Sequence, residues 1–163
     1  MTAYDVSEWT DFFLAGAGAS AALAGLVFVA VSINVDRILR VDGLPERALA
    51  TVLLLSVVLV SLIALIPGQS RDALAGELLG VGLLFSLVIL WNTGRSMASR
   101  DQQWMHVLGH WLLVGLGTLP VVIGAVSLFA EAGGGLYWVA AGIVLATTGA
   151  VANAWVLLVE ILR

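Results

Sequence analysis

The sequence predicts an all-α integral membrane protein, one bundle of five transmembrane helices over residues 1–163, with the N-terminus outside and the C-terminus cytoplasmic. Three observations lead there. Hydrophobic residues make up 61% of the chain and charged residues 11%, with a mean hydropathy of +1.06, too much apolar side chain for one soluble core to hide. The apolar residues fall into five runs, each near the roughly 20 residues of helix that cross a bilayer, separated by short polar breaks. The arginines gather on alternate breaks, which sets orientation.

The first ten residues, MTAYDVSEWT, are acidic and lack the positive n-region of a cleaved signal, so the first span is expected to stay in place. Asp5 with Glu8 three residues on reads as a capping box, with Trp9 at the interface. Span one, about 9–34, is WTDFFLAGAGASAALAGLVFVAVSIN; from Ala15 to Gly25 only Leu23 is larger than serine. Backbones can approach such a thin helix from nearly every side, so Gly16, Gly18 and Gly25 are expected packing positions and the helix is expected inside the bundle. Nothing breaks it before Asp42-Gly43, about 36 residues or roughly 54 Å from its start, so NVDRILR is expected to project into water.

Leu44-Pro45-Glu46-Arg47 restarts the helix, with proline in its first turn. Span two, about 48–66, is bulky and apolar on every side, and is the helix expected to face lipid. Pro67-Gly68 ends it. Span three, about 73–91, carries Gly76 and Gly80 in GxxxG spacing and one acid, Glu77. Span four, about 104–130, holds both histidines, His106 and His110, and a mid-span Pro120 expected to kink it. AEAGGG then turns the chain into span five, about 136–162, which starts at Tyr137-Trp138 and ends near Glu160. Arg37, Arg40 and Arg47 flank the first break, Arg95 and Arg100 the third, and Arg163 the C-terminus, against Arg71 alone on the other side. That places loops one and three in the cytoplasm.

Helical phase sorts the polar residues within spans. His106, His110, Leu113, Gly117, Pro120 and Gly124 share one face of span four. Gly142, Ala146, Gly149, Asn153 and Glu160 share one face of span five, and Ser20, Ala24, Val27, Val31 and Asn34 form a seam on span one. Asn34, Asn92, His106, His110, Asn153 and Glu160 all fall in the cytoplasmic half, where they form either a polar pocket for a cation or proton relay, or a set of interhelical bonds and headgroup contacts. Glu77 is either an ion-pathway carboxylate or a first-turn acid reaching towards water.

His106 and His110, one turn apart, point two imidazoles the same way and offer two ligands to a metal ion, with Glu160 as a third. The HExxH glutamate is missing, and one helix cannot ligate both sides of a haem iron unless two chains share it, so no cofactor is assigned. With no cysteine there is no disulfide framework or thiolate site. A net charge of -4 with no basic run excludes a nucleic-acid surface. No nucleophile with a paired base, phosphate-cradling loop or carboxylate pair marks an enzyme.

The opening W-T-D-F-F and the following G-A-G-A-S-A-A-L-A-G-L-V-F-V-A-V-S-I-N resemble the first helix of a family of small, uncharacterised bacterial multispanning membrane proteins. The resemblance covers roughly the first 35 residues. It implies a bacterial plasma membrane and carries no activity or site with it. Three readings of function stay open from the sequence. They are a homo-oligomeric channel or carrier-like conduit for a small ion or solute, an accessory or regulatory subunit of a larger membrane complex, and an intramembrane metal- or haem-binding protein. The lipid bilayer, a second copy and another membrane protein are the expected partners.

Overall fold

The computed structural model describes the backbone of residues 2–33, 49–97 and 104–162, with most side chains between 3 and 155. Among the described residues there are five α-helices and no strand: α1 (Thr10–Ile33), α2 (Leu49–Ala64), α3 (Arg71–Met97), α4 (Trp104–Ala130) and α5 (Leu136–Leu162). The expected extension of span one through NVDRILR lies outside the described residues.

The helix ends follow local chemistry. Asp5 does cap, but it caps a short 3-10 turn, Val6–Trp9, by accepting from the Ser7 amide at 3.0 Å and the Ser7 hydroxyl at 2.7 Å. α1 proper starts at Thr10, whose hydroxyl donates back to the Ser7 carbonyl at 3.1 Å. α2 tightens at its end, where the Leu65 amide is shared between the Ser61 and Leu62 carbonyls, before Pro67 and the left-handed Gly68 at φ 71°. Ser70 caps α3 by accepting from the Ala73 amide at 3.2 Å. That helix runs on to Met97, six residues beyond the expected 91, because Asn92-Thr93-Gly94 contains no proline and a single glycine costs a helix only about 1 kcal/mol. α4 ends in a Schellman turn: Glu131 takes φ 51° and the Ala132 amide bonds the Ser127 carbonyl at 3.3 Å.

The tightest helix contacts run along α4 and α5, which are antiparallel. A Cβ on Gly124 would come within 2.6 Å of Val139 Cγ2 and 3.0 Å of its backbone nitrogen, and one on Gly142 within 2.8 Å of Val121 Cγ2. Further along, a Cβ on Gly117 would meet Ala146 Cβ at 3.6 Å. α3 lies antiparallel to α4 through Gly82, where a Cβ would be 2.8 Å from Val122 Cγ2, and through Ser86 and Thr118. α1 and α5 run parallel, with Gly16 towards Ile143 and Ser20 towards Thr147.

α2 sits in the middle, packed against α1, α3 and α5. Leu53, Leu54, Val57, Val60, Ser61 and Ala64 are all buried. Leu55, Leu59 and Leu62 stand exposed on its other side, so the expectation that span two faces outward holds for one face only. A helix apolar all round cannot reveal whether its solvent is lipid or protein, and here its bulk fills space left by thin neighbours. The Leu53 side chain shows this, lying 2.9 Å from where a Cβ on Gly117 would stand.

α1 is also placed differently from expectation. It buries only the stripe Phe13, Ala17, Ser20, Ala24 and Val27, spaced four and three residues apart, and lies at the edge of the bundle. Together with its leading turn it forms the one helix among the described residues long and apolar enough to cross a membrane, Val6–Ile33, with mean hydropathy 2.1 over its apolar window. Shorter apolar helical stretches cover Val52–Ala64, Gly117–Ala130 and Leu136–Ala152.

Candidate functional site

Among the described residues, the buried polar side chains are hydroxyls, and most satisfy themselves locally. Ser56 donates to the Leu53 carbonyl at 2.7 Å and Thr147 to the Ile143 carbonyl at 2.8 Å. Two pairs cross between helices: Ser20 Oγ lies 3.5 Å from Thr147 Oγ1, and Ser86 Oγ lies 2.9 Å from Thr118 Oγ1. Ser61 differs, because its hydroxyl is fully buried beside Gly16 and has no hydrogen-bond partner among the described residues.

Of the polar residues singled out in the sequence, Ser20, on the seam of span one, is 1% exposed and lies against Thr147 of α5. Glu77 is exposed, and Gln69 in the preceding turn donates to its carboxylate at 2.6 Å. Asn34 lies outside the described residues. Asn92 belongs to α3, His106 and His110 to α4, and Asn153 and Glu160 to α5, but their side chains lie outside the described set. No group of three metal-ligating side chains occurs among the described residues, a set that leaves out both histidines.

The expected packing glycines divide. Gly16, Gly117 and Gly124 meet neighbouring helices within 4 Å of an added Cβ, and Gly76 meets only the tip of the Phe129 ring at 3.8 Å. Gly18, Gly25 and Gly80 face open space. Gly149 is half-buried on α5. Sequence reasoning passed over Gly82, and placed Gly142 on a shared face of span five without naming it a packing position; both make close approaches. A signal for Gly82 was present in the small-xxx-small spacing of Gly82 and Ser86, one face round from Gly76 and Gly80.

Among the described residues, the end of the bundle that carries Tyr4 holds a connected set of hydrogen bonds. Gly133, Gly134 and Gly135 turn α4 into α5 with φ of 85°, 106° and 46°, conformations open to glycine because it lacks a Cβ. The Tyr4 hydroxyl accepts from the Gly134 amide at 3.1 Å, the Ser127 hydroxyl accepts from the Gly135 amide at 2.8 Å and donates to the Ala132 carbonyl, and the Trp138 indole donates to the Gly133 carbonyl at 2.7 Å. A Cβ on Gly135 would strike the Ala3 carbonyl at 2.3 Å. The N-terminal turns thus clasp the α4–α5 loop, and Trp9 stacks edge-on to Tyr137 with centroids 4.8 Å apart.

Beside this clasp lies a cleft of about 550 Å³ between the N-terminal turns and the α2–α3 turn. Tyr4, Asp5, Ser7, Thr10, Gln69 and Arg71 give it polar groups, and Val6 with Ala64 to Ile66 give it an apolar floor. Arg71 donates to Asp72 and pairs with Glu131 at 2.8 Å. Partial desolvation acts against its charge, but the bonds and charges of Asp72 and Glu131 outweigh this and raise its pKa above the ordinary arginine value. The Ser7 hydroxyl and amide hold the Asp5 carboxyl below its ordinary pKa of 3.8, so it is ionised at neutral pH. What these elements define, among the described residues, is an all-helical bundle with a hydrogen-bonded set of polar groups at its Tyr4 end. The chain matches no protein-family model, no curated protein and no solved structure.

Proposed function

We propose that the protein is a multi-pass plasma-membrane protein with five spans, that it works as a homo-oligomer joined through the outward face of α1, and that a small ion or solute passes between its copies. The outward face of α1 carries this reading. Ala15, Gly18, Ala19, Ala22 and Gly25 stand exposed there, and a Cβ added to Gly18 or Gly25 would meet nothing within 4 Å. A surface this thin lets a second helix approach to backbone contact.

Membrane placement has three supports. Only 11% of the apolar window of Val6–Ile33 is buried within the chain, unlike the enclosed helix of a soluble core. Large apolar side chains stand exposed on every helix, among them Leu26, Phe28, Leu62, Leu87, Leu119 and Val144. The Tyr4 end holds Asp5, Glu8, Asp11, Asp72, Glu77 and Glu131 against Arg71 alone, which favours that end outside. Passage runs between copies in this reading because Phe13, Leu74, Leu78, Leu128 and Leu136 fill the interior of a single copy.

One observation favours a second reading, a non-transporting subunit docked on a different membrane protein through the same face. Ser20, expected to line a passage, turns inward to Thr147 and leaves the outward face without its polar group. Native mass spectrometry from mild detergent, paired with flux in proteoliposomes, separates the two. The first reading expects several identical chains and measurable flux, both lost in Gly18→Leu. One chain bound to a different protein, with no flux, selects the second reading, and a lone chain without flux overturns both.

A further inference from the structure

We propose that the cleft between the N-terminal turns and the α2–α3 turn binds a phosphoethanolamine group, with its ammonium at Asp5 and its phosphate at Arg71. The cleft is lined by one carboxylate and one guanidinium, with the hydroxyls of Tyr4, Ser7 and Thr10 and the amide of Gln69 between them. Opposite charges sharing one space suit a zwitterion, and suit a simple cation or anion less well. The end of α2 completes the ammonium side. Ala64, Leu65 and Ile66 line the floor, and the last carbonyls of a helix carry the negative end of its dipole.

Hydrogen-bond supply favours a primary ammonium. Asp5 accepts from Ser7 through one oxygen, and a carboxylate has further acceptor capacity that an N–H can use but a trimethylammonium cannot. Arg71 spends its Nε, Nη1 and Nη2 contacts on Asp72 and Glu131. A guanidinium has five N–H groups, so one remains on each terminal nitrogen for a phosphate oxygen. Position agrees with a lipid source. Trp9, Tyr137 and Trp138 cluster at the same end as an interfacial aromatic belt would, which puts the cleft at headgroup level.

This inference rests on the membrane placement proposed above, and the test keeps the two apart. The full chain in detergent is mixed in turn with phosphatidylethanolamine, phosphatidylcholine and phosphatidylglycerol, and retained lipid is counted by native mass spectrometry. Soluble O-phosphoethanolamine is titrated in a parallel arm. Phosphatidylethanolamine is expected to be retained about tenfold better than the other two, the weight of one hydrogen bond to a charged group. Asp5→Asn keeps the Ser7 acceptor and so the turn, yet should erase the preference, while Arg71→Gln should weaken both zwitterionic lipids. Binding of the soluble compound with no lipid preference would support the same site with a soluble ligand. Equal retention of all three lipids without soluble binding, or an unchanged preference in Asp5→Asn, would overturn the site while leaving the membrane placement intact. Recovery of the chain without detergent would instead sink the placement.

Discussion

Arg71 Nη1 lies 2.8 Å from Glu131 Oε1, tying the first residue of α3 to the residue that closes α4. Glu131 occupies the left-handed position usually given to glycine, at φ 51°. Glu131→Gly removes the backbone strain and the ion pair together. Arg71 is half-buried and Glu131 exposed, so solvent screens the pair and the exchange is expected to be near neutral. Glu131→Val keeps the strain, adds β-branching and loses the pair, and should destabilise by about 1–3 kcal/mol. Thermal unfolding of both variants in detergent checks the order, and equal losses would contradict the backbone argument.

Gly124→Ala and Gly18→Ala should differ sharply although both replace a helical glycine. The first drives a methyl to 2.6 Å from Val139 Cγ2 and 3.0 Å from a backbone nitrogen, so α4 and α5 must part, at a cost of about 1–3 kcal/mol. The second meets nothing within 4 Å and gains helix propensity, so the fold should hold or tighten by up to about 1 kcal/mol. Denaturation midpoints measured at low protein concentration isolate the fold from assembly; a loss at Gly18 equal to that at Gly124 would mean the outward face is already occupied within the chain.

Ser61→Ala is expected to stabilise the protein slightly or leave it unchanged. The Ser61 hydroxyl is buried with no partner among the described residues, and deleting an unsatisfied polar group removes its desolvation penalty. A loss above about 1 kcal/mol in the same unfolding assay would show that a bridging water satisfies the hydroxyl.

The Asp5 carboxyl gives the N-terminal turns an acid limit. Its pKa is lowered in the folded chain, so its contribution is full above the ordinary value of 3.8 and is lost as pH falls through the lower folded value. Fluorescence of Trp9 against Tyr137 should report release of the turns in that acid window. In Asp5→Asn, with no proton to take up, this limb of the pH profile should flatten; an unchanged profile would assign the transition to another carboxyl.

Much of the helix pattern was legible in residue order. Asp5, Pro67-Gly68 and the glycines after Glu131 punctuate the chain because an aspartate caps a turn, proline fixes φ and glycine alone takes positive φ freely, and α4 and α5 match their expected bounds of 104–130 and 136–162. The side each helix turns to its neighbours was less legible. In α2, Leu53 and Leu55 are the same residue in equally apolar surroundings, yet one is 2% and the other 50% exposed. Composition cannot divide them, since lipid and protein interior are alike apolar. Glycine spacing had the same ambiguity in α3, where Gly80 is open and Gly82 is packed. The clasp was hidden for a different reason: Tyr4 and Gly134 are separated by 130 positions, and no local rule joins them.

That separation bears on how the molecule is made. A ribosome delivers Tyr4 130 residues before Gly134, with four helices between them, so this contact cannot form until that stretch has been made. Until then the Tyr4 hydroxyl lacks the Gly134 amide, and the Trp9 ring lacks the Tyr137 ring that follows it in the chain. The clasp thus depends on the turn between α4 and α5, and a product truncated before Gly134 would lack it.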